Sequence, residues 1–420
     1  MRRREFITLA GGAAIAWPLA ARATGGADLV VDGVPLPPDA GVASIPKSAT
    51  DLQRLWNGVW VGAWNGALKH ILLVEDVGED GAAGIVYAEA DNLYSGARAR
   101  WWRGTAVVSG RTLTVTEPTF TATYEAGEDG QLNAFLKGGG RIARAAMSKT
   151  DLASLTKPGA VVSWSRGTSE VLQTDMLEDG RPVRLETVIF KPPGPGPFPL
   201  AVFNHGSIGR YATPGLVKQT WVSLEVADLL NKQGWLVAFP QRRGRGKSDG
   251  LYEEERNSFG DTGRAVSAAD RALTDVNAAI AVLRRRQNVS PGPVLIGGQS
   301  RGGVLSIAYA GMRPEQTLGV INFVGGWFSE KAAGAELVNQ TLFGRGARYD
   351  RPTIWLYGQG DTYYSIDHSR KNFAAFEKAG GQGKFFEFDM PSDVGHNVIH
   401  YPDLWAGPVG DYLNSISGRG

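Results

Sequence analysis

The spacing of apolar and polar residues changes its period once along the chain. Between Leu52 and Met147, apolar and polar residues alternate in short runs, separated by turn signals such as Gly78–Gly81 and Gly127–Gly130. A period of two with regularly spaced turns is typical of antiparallel strands with one buried face. The sequence therefore predicts a small all-β domain over residues 51–155, either a sandwich or a barrel.

From about residue 160 to residue 420, short apolar runs alternate with amphipathic helical stretches such as Leu216–Lys232 and Ala265–Arg286. Continuous apolar strands between helices are typical of a parallel sheet that is covered on both faces. This part is therefore predicted to be a mostly parallel, doubly wound α/β domain. The predicted strands are Arg184–Phe190, Leu200–Asn204, Trp235–Phe239, Val294–Gly297, Leu318–Val324, Thr353–Tyr357 and Lys384–Phe388.

Ser300 lies where a predicted strand turns directly into a predicted helix. It is the middle residue of Gly298-Gln299-Ser300-Arg301-Gly302, and the helix is expected over Val304–Ala310. Glycines two positions before and after the serine leave room for a tight turn and for an approaching substrate. The hydroxyl would lie near a helix N-terminus, which favours an anion. This pattern is typical of a nucleophilic serine.

A nucleophilic serine needs a base to take its proton. Three histidines follow Ser300 in the chain: His368, His396 and His400. His396 is the best candidate, because it follows the last predicted strand through the loop of residues 391–395. His368 falls at the start of a helical stretch, and His400 lies a little beyond.

The base must in turn be oriented by an acid. Asp361 follows a predicted strand directly, and active groups collect at the carboxyl ends of parallel strands. Asp389 and Asp393 are nearer to His396 in sequence, but sequence distance says little about contact. We therefore expect Ser300, Asp361 and His396 to be the catalytic residues.

An oxyanion needs at least two donors aimed at the developing charge. The backbone N–H of Arg301 is one candidate. The other is expected from the turn after Leu200–Asn204, where either Gly206 or Ser207 can present its N–H, and the sequence does not choose between them. His205 is expected to shape this turn.

The strongest charge cluster is Gln241–Gly250, followed by three consecutive glutamates at 253–255. Its glycine spacing differs from that of a phosphate-binding loop. It is therefore predicted to be an ordered loop at the edge of the active site. No cofactor or metal site is expected, because the chain has no cysteine and no His, Asp or Glu grouping with metal-ligand spacing.

Residues 1–23 have the features of a targeting segment. Adjacent arginines precede Phe6 and Ile7, a weakly hydrophobic stretch continues to Ala20, and Ala21-Arg22-Ala23 offers a cleavage site. This resembles a twin-arginine export signal, which implies the twin-arginine translocase as partner and a periplasmic or secreted protein without stable membrane insertion. Residues 24–50 are predicted to be a linker. Cleavage removes four arginines and one glutamate, so the net charge falls from +2 to −1 and gives no argument for nucleic-acid binding.

Residues 165–420 resemble the α/β-hydrolases, particularly the dienelactone-hydrolase and S9-peptidase-like branch. The resemblance rests on five segments. They are Asn204-His205-Gly206, Arg242–Gly250, Gly298–Gly303, Gly358–Asp361 and Gly395-His396. It implies that Ser300 is the nucleophile, Asp361 the orienting acid and His396 the base. Dienelactone hydrolases carry cysteine in place of this serine, so lactone specificity is not implied.

The resulting hypothesis is an exported serine hydrolase that cleaves small carboxylic esters through an acyl-enzyme. An S9-like peptidase is an alternative, which would need carboxylates for a substrate amino terminus, with Glu253-Glu254 as a candidate pair. Another is a glycan- or envelope-binding protein with an inactive hydrolase scaffold, suggested by Trp56, Trp60 and Trp64. Aromatic residues at period two more often form a core, which is the interpretation we favour.

Overall fold

The computed structural model describes residues 29–92, 97–128, 130–138, 141–157, 160, 162–164, 166–209, 214–255, 261–390 and 394–416. The predicted export signal lies outside the described residues. Within the predicted linker, Leu29–Val31 (β1) and Val34–Leu36 (β2) form an antiparallel hairpin. Val34 and Leu36 are fully buried, so part of this segment is folded structure rather than a tether.

A short helix and eight strands make up the predicted all-β region. The helix Asp51–Trp56 (α1) begins at a capping box, in which Thr50 and Gln53 each bond the other's backbone. The strands close into a barrel in the order β10-β3-β4-β5-β6-β7-β8-β9. Of the two predicted forms, a sandwich and a barrel, the structure therefore has the barrel. Their bounds are Gly58–Trp64 (β3), Leu68–Val77 (β4), Ala82–Glu89 (β5), Arg100–Ser109 (β6), Thr112–Glu117 (β7), Phe120–Ala126 (β8), Gln131–Gly138 (β9) and Arg141–Thr150 (β10).

Three tryptophans of this region are part of its core. Trp56, Trp60 and Trp64 are all at most 3% exposed. The Trp60 indole N–H donates to the Trp56 carbonyl at 3.1 Å, and the two rings lie 6.3 Å apart. The expectation that these aromatic residues form a core is confirmed, and they present no exposed platform for a sugar ring.

The second half of the chain builds one eight-stranded sheet in the order β11-β12-β14-β13-β15-β16-β17-β18. The first two strands pair antiparallel with their neighbours, and the other six strands run parallel to one another. The strand bounds are Thr168–Glu178 (β11), Arg181–Phe190 (β12), Leu200–Asn204 (β13), Leu236–Pro240 (β14), Val294–Gln299 (β15), Thr317–Phe323 (β16), Thr353–Gly358 (β17) and Gly383–Phe388 (β18). All seven predicted strands are present, while β11, a largely exposed edge strand, was not predicted.

Within the part of the chain that the structure describes, eight α-helices follow the barrel region. Their bounds are Leu152–Leu155 (α2), Pro214–Val217 (α3), Leu224–Lys232 (α4), Thr262–Leu283 (α5), Arg301–Met312 (α6), Ala335–Gly346 (α7), Ile366–Lys378 (α8) and Pro402–Ile416 (α9). Among the described residues, no helix has both the length and the apolar character needed to cross a membrane.

The prediction of one continuous helix over Leu216–Lys232 is wrong, because the structure has two short helices there, α3 and α4. The side chain of Gln241 accepts from the Trp221 N–H and donates to the Trp221 carbonyl, each at 2.8 Å. Ser223 then caps α4 by accepting from the Val226 N–H. A distant side chain therefore takes the backbone groups that a continuous helix would use.

Candidate active site

Ser300 occupies the turn between β15 and α6 in a strained backbone conformation, with φ 55° and ψ −121°. Its N–H donates to the Phe323 carbonyl at 2.9 Å. Its own carbonyl accepts from the N–H groups of Gly303 at 2.9 Å and Gly326 at 3.2 Å. Strain of this kind costs about 1–3 kcal/mol and persists only where the surroundings hold it. With a further bond from the Val304 N–H at 3.3 Å, four backbone hydrogen bonds hold the serine at the carboxyl edge of the sheet.

The glycines on either side of Ser300 allow the backbone of this strand-to-helix turn to approach β13. A Cβ atom on Gly302 would lie 2.0 Å from the Asn204 carbonyl oxygen, and one on Gly298 would lie 2.4 Å from the Gly302 carbonyl carbon. Both distances are far below van der Waals contact. The glycine positions of the motif are therefore required by this close packing of strand and helix.

His396 and Asp361 meet at the same edge of the sheet. The His396 Nδ1 lies 2.8 Å from Asp361 Oδ2. The other carboxylate oxygen accepts from the N–H groups of Tyr363 at 2.7 Å and Tyr364 at 3.1 Å. Asp361 is buried and has hydrogen-bond donors at both oxygens, so it holds the imidazole with Nδ1 towards the acid and leaves Nε2 for a proton transfer.

The segment that carries His396 is hydrogen-bonded to the turn that carries Ser300. The Gln299 side chain, one residue before Ser300, donates to the His396 carbonyl at 2.9 Å. Gly395–His400 is a short 3-10 helix with a kink at Asn397, where the sequence suggested a loop.

The other histidines have structural partners. The His400 Nδ1 lies 2.9 Å from the buried Glu225 carboxylate, and the His368 Nε2 lies 3.1 Å from the Asn339 amide nitrogen. Burial lowers the pKa of His368. Among the residues that the structure describes, no His, Cys, Asp and Glu side chains group as metal ligands.

Of the two alternative acids, the structure describes only Asp389. Asp389 is exposed. Asp393 lies outside the described residues. Asp361 is the carboxylate that contacts the His396 ring.

The turn after β13 lies beside the nucleophile. An ideal Cβ on Gly206 would be 3.7 Å from Ser300 Oγ, so the Gly206 backbone faces the hydroxyl. Ser207 is exposed, and its hydroxyl bonds the Glu255 carboxylate. Arg301 begins α6, so its N–H is one of the donors that have no acceptor within the helix. The turn beside Ser300 and the start of α6 remain the candidate sources of oxyanion donors, and the choice between Gly206 and Ser207 stays open.

His205 fixes this turn as a neutral imidazole. Its Nε2 accepts from the Arg242 N–H at 3.1 Å, so Nδ1 carries the proton and donates to the Gly206 carbonyl at 2.9 Å. Burial, and after it the positive charge of Arg242, hold the pKa of His205 well below its ordinary value. The residue has the structural role that the sequence suggested.

The charge cluster Gln241–Gly250 is an ordered loop built on buried ion pairs. Arg242 binds both oxygens of Glu254, at 2.5 and 2.9 Å, and donates to the His205 carbonyl at 2.9 Å. Arg243 pairs with the buried Asp275 at 2.6 Å. Burial raises the pKa of Asp275 to about 6, although Arg243 opposes this shift. Arg242 thus connects the cluster to the turn beside Ser300.

The side chain of Arg301 also lies inside this network, which the sequence did not predict. It donates to the Glu254 carbonyl at 2.8 Å and to the Glu255 carboxylate at 3.0 Å, and its guanidinium lies 4.7 Å from the centre of the Trp327 ring. Burial lowers the pKa of Arg301, but Glu255, Glu254 and the neighbouring tyrosines together outweigh it, so the pKa is raised. This side chain anchors the first turn of α6.

A separate groove of about 820 Å³ lies between α5, α6 and α7. Thr274, Met312 and Arg345 are among its lining residues, and none of Ser300, Asp361 and His396 is. The groove is therefore not part of the site around Ser300.

Residues 211–343, less than half of the chain, match the family model of the S33 serine aminopeptidases. No curated protein matches the chain. The chain is similar at 16% identity to Est1E from Butyrivibrio proteoclasticus with bound ferulic acid, covering 57% of this chain and 97% of that one, with a TM-score of 0.42. It is also similar, at 16% identity, to the Pyrococcus furiosus esterase Pf2001. That match covers 61% of this chain and 95% of the esterase, with a TM-score of 0.42. A prolyl endopeptidase is 14% identical over 85% of this chain and 52% of its own length, with a TM-score of 0.44.

The family-model match, together with the sheet order and the turn at Ser300, supports an α/β-hydrolase fold and a hydrolase. The matched family is S33, and the predicted dienelactone-hydrolase and S9 subtypes are not confirmed. Esterase and peptidase both stay open at this level.

We predict that, as the pH is lowered from 8, His205 in the folded protein stays neutral well past the pH at which the unfolded chain protonates it. Its folded pKa lies well below the ordinary value of about 6.5, so only the unfolded chain takes up this proton. Because only the unfolded state binds this proton, the contribution of His205 makes the free energy of unfolding decrease as the pH falls below about 6.5. Imidazole ¹⁵N NMR should show Nδ1 protonated and Nε2 unprotonated throughout. A folded-state midpoint near that of the urea-unfolded protein would contradict this assignment.

Proposed function

We propose that the protein is a serine hydrolase that cleaves carboxylic esters through an acyl-enzyme, with Ser300 as nucleophile, His396 as base and Asp361 as orienting acid. The observation that carries the proposal is the 2.8 Å contact between His396 Nδ1 and Asp361 Oδ2, at the sheet edge where Ser300 is held with φ 55°. A strained serine beside an oriented imidazole is an arrangement suited to nucleophilic catalysis.

The first half of the reaction forms the acyl-enzyme. Ser300 Oγ attacks the carbonyl carbon of the ester while His396 Nε2 takes the hydroxyl proton, and the carbonyl electron pair moves onto oxygen. The N–H of Arg301 and that of Gly206 or Ser207 stabilise this oxyanion, each such donor contributing ~10²–10³ in kcat. Asp361 stays ionised and stabilises the imidazolium.

The second half releases the products. When the oxyanion collapses, the bond to the alcohol oxygen breaks and His396 gives its proton to that oxygen. Water then repeats the attack, with His396 as base, and the carboxylic acid leaves as Ser300 regains its proton. The reaction consumes one water and needs no cofactor.

A serine peptidase is the second candidate function, because the matching family model is that of serine aminopeptidases. An aminopeptidase needs free carboxylates for the substrate ammonium group, and Glu253-Glu254 was the candidate pair. Both oxygens of Glu254 are occupied by Arg242, and the residue is 4% exposed. This favours esters over peptides with a free amino terminus.

A glycan- or envelope-binding role with an inactive scaffold is less well supported. It relied on exposed aromatic residues in the β region, and Trp56, Trp60 and Trp64 are buried. The hydrogen bond between His396 and Asp361 also supports an active site over an inactive scaffold.

Replacing Ser300 by alanine should abolish labelling by a fluorescent organophosphonate and lower kcat on p-nitrophenyl esters at least ~10³-fold, because the nucleophile is lost. Labelling is followed on a gel and kcat by p-nitrophenol release. Ser267→Ala is the matched control, since it removes an exposed hydroxyl on α5 that bonds only locally in the structure. Equal labelling of wild type and Ser300→Ala would contradict the proposal.

We expect p-nitrophenyl esters of short acids to be turned over with a kcat/KM at least ~100-fold above that for aminoacyl p-nitroanilides, because Glu254 is not available to bind a substrate ammonium group. The esters release p-nitrophenol and the anilides release p-nitroaniline, so each series is followed by the absorbance of its own product. A kcat/KM for the anilides equal to or above that for the esters, abolished in Ser300→Ala, would make the peptidase the better assignment.

We also propose that residues 1–23 direct export through the twin-arginine translocase to the periplasm or beyond. In a bacterial host, the full-length chain should appear in the periplasmic fraction, and the double variant Arg3→Lys/Arg4→Lys should stay in the cytoplasm because the arginine pair is the recognised signal. Arg22→Lys, outside that pair, is the matched control. Unchanged export of the double variant would exclude this route.

A further inference from the structure

His400, one of the three candidate bases, forms a second histidine–carboxylate pair four residues after His396. Its Nδ1 lies 2.9 Å from Glu225 Oε1. Because a carboxylate can only accept, Nδ1 carries a proton and donates this hydrogen bond. Glu225 lies in the first turn of α4 and is 6% exposed. His400 is thus bonded to a helix that carries no member of the proposed triad.

Glu225 is held in place before His400 reaches it. The Ser223 hydroxyl donates to Glu225 Oε2 at 3.0 Å and accepts from the Val226 N–H at 3.3 Å. Burial raises the pKa of Glu225, but the charge and hydrogen bond of His400, together with the backbone and Ser223, outweigh it and lower the pKa. The N-terminus of α4 also favours a negative charge. Glu225 is therefore a fixed carboxylate that gives His400 a charge-assisted hydrogen bond.

His400 and His396 belong to the same short helix, Gly395–His400, which we call the His396 segment. It is a 3-10 helix of 6 residues with non-helical angles at Asn397. Such helices have poorer hydrogen-bond geometry than α-helices and are used in short pieces. The position of the His396 ring therefore depends on contacts that the segment makes with other elements.

Contacts with two turns of the site fix the start of the His396 segment. An added Cβ on Gly395 would lie 2.3 Å from the Gln359 carbonyl oxygen, so this backbone packs tightly against the turn that leads to Asp361. The Gln299 side chain donates to the His396 carbonyl at 2.9 Å. These contacts set the distance of the segment from the acid and from the nucleophile.

The other end of the segment is fixed by side chains. The Trp405 indole N–H donates to the Val398 carbonyl at 3.1 Å, from α9, which begins soon after the segment. The His400 side chain reaches α4, which lies 175 residues away in sequence from His400 at Glu225. The pair of His400 and Glu225 is thus a long-range contact that prevents the end of the segment from shifting together with the start of α9.

We propose that His400 is a positioning residue, which holds the His396 imidazole in place for proton transfer by binding the end of the His396 segment to Glu225. This inference rests on the proposed function. Misplacing reacting groups by about 1 Å can lower a rate ~10²-fold, so a segment held less firmly at one end would lose kcat while substrate still binds. His400 itself transfers no proton in the reaction.

The decisive variant is His400→Leu/Glu225→Met, compared with His400→Leu alone. The single change leaves a buried carboxylate without this partner, so its Tm should fall, whereas the double change replaces both groups by apolar ones and should recover most of that Tm. We expect kcat on p-nitrophenyl esters, and the rate of inactivation by an organophosphonate, to stay ~10–100-fold below wild type in the double variant, with KM changed less than ~3-fold. A recovered Tm together with wild-type kcat would overturn the proposal.

Two conservative variants decide the question if the double variant does not fold or does not recover its Tm. His400→Asn places an amide N–H where Nδ1 was and keeps the bond to the carboxylate, so kcat should stay within ~3-fold of wild type. Glu225→Gln keeps the shape but makes the bond neutral and weaker, so kcat should fall ~3–10-fold. Equal kcat in these two variants would contradict the role of the pair.

Asp228→Asn is the matched control on the same helix. Asp228 accepts from Arg166 Nη2 at 2.8 and 3.0 Å, so the variant weakens an ion pair of α4 that contains no residue of the His396 segment. Its kcat and KM should equal those of wild type. A loss of kcat as large as that of the double variant would assign the effect to α4 in general and refute the specific role of His400.

The outcomes separate this inference from the proposed function. If Ser300→Ala keeps wild-type turnover, the esterase assignment itself fails. If Ser300→Ala is inactive while the double variant, with its Tm recovered, reacts with ester and phosphonate at the wild-type rates, the esterase stands and the role of His400 is refuted.

Discussion

The absence of a side chain at Gly302 is the constraint on which the rest of the site depends. Because a Cβ there would lie 2.0 Å from the Asn204 carbonyl oxygen, α6 can begin directly against the end of β13. That approach leaves Ser300 only a sharp turn with positive φ, and it brings the Gly206 backbone to the serine hydroxyl. Strain at Ser300 and the closeness of the Gly206 turn are two results of one packing contact.

Buried charges hold the turn in this position. Arg242 is 1% exposed and connects Glu254 to His205, while Arg301 connects the start of α6 to the backbone of Glu254 and the carboxylate of Glu255. Breaking a buried ion pair by removing one partner costs about 3–5 kcal/mol, so these side chains resist displacement. Preorganised donors of this kind need no rearrangement when charge develops on the substrate. The arginine-rich loop is thus a support for the site rather than a binding surface for phosphate.

Most strands of the α/β region could be predicted from the local sequence pattern, since all seven apolar runs predicted as strands are strands. The failures have tertiary causes. The helix predicted across residues 216–232 is interrupted because the side chain of Gln241, which directly follows β14, hydrogen-bonds the backbone of Trp221. The edge strand β11 was missed because most of its residues are exposed and its sequence lacks a continuous apolar run.

The sequence by itself determined the period of each region, the strand-to-helix turn at Ser300 and the candidates Asp361 and His396, because these depend on local spacing and on the rule that parallel strands end at one edge. Tertiary structure decided that the β region closes into a barrel and that Glu254 is occupied by Arg242. It also decided that His400 pairs with Glu225 while His396 pairs with Asp361. Pairing of side chains far apart in sequence depends on directions and distances that no local pattern contains.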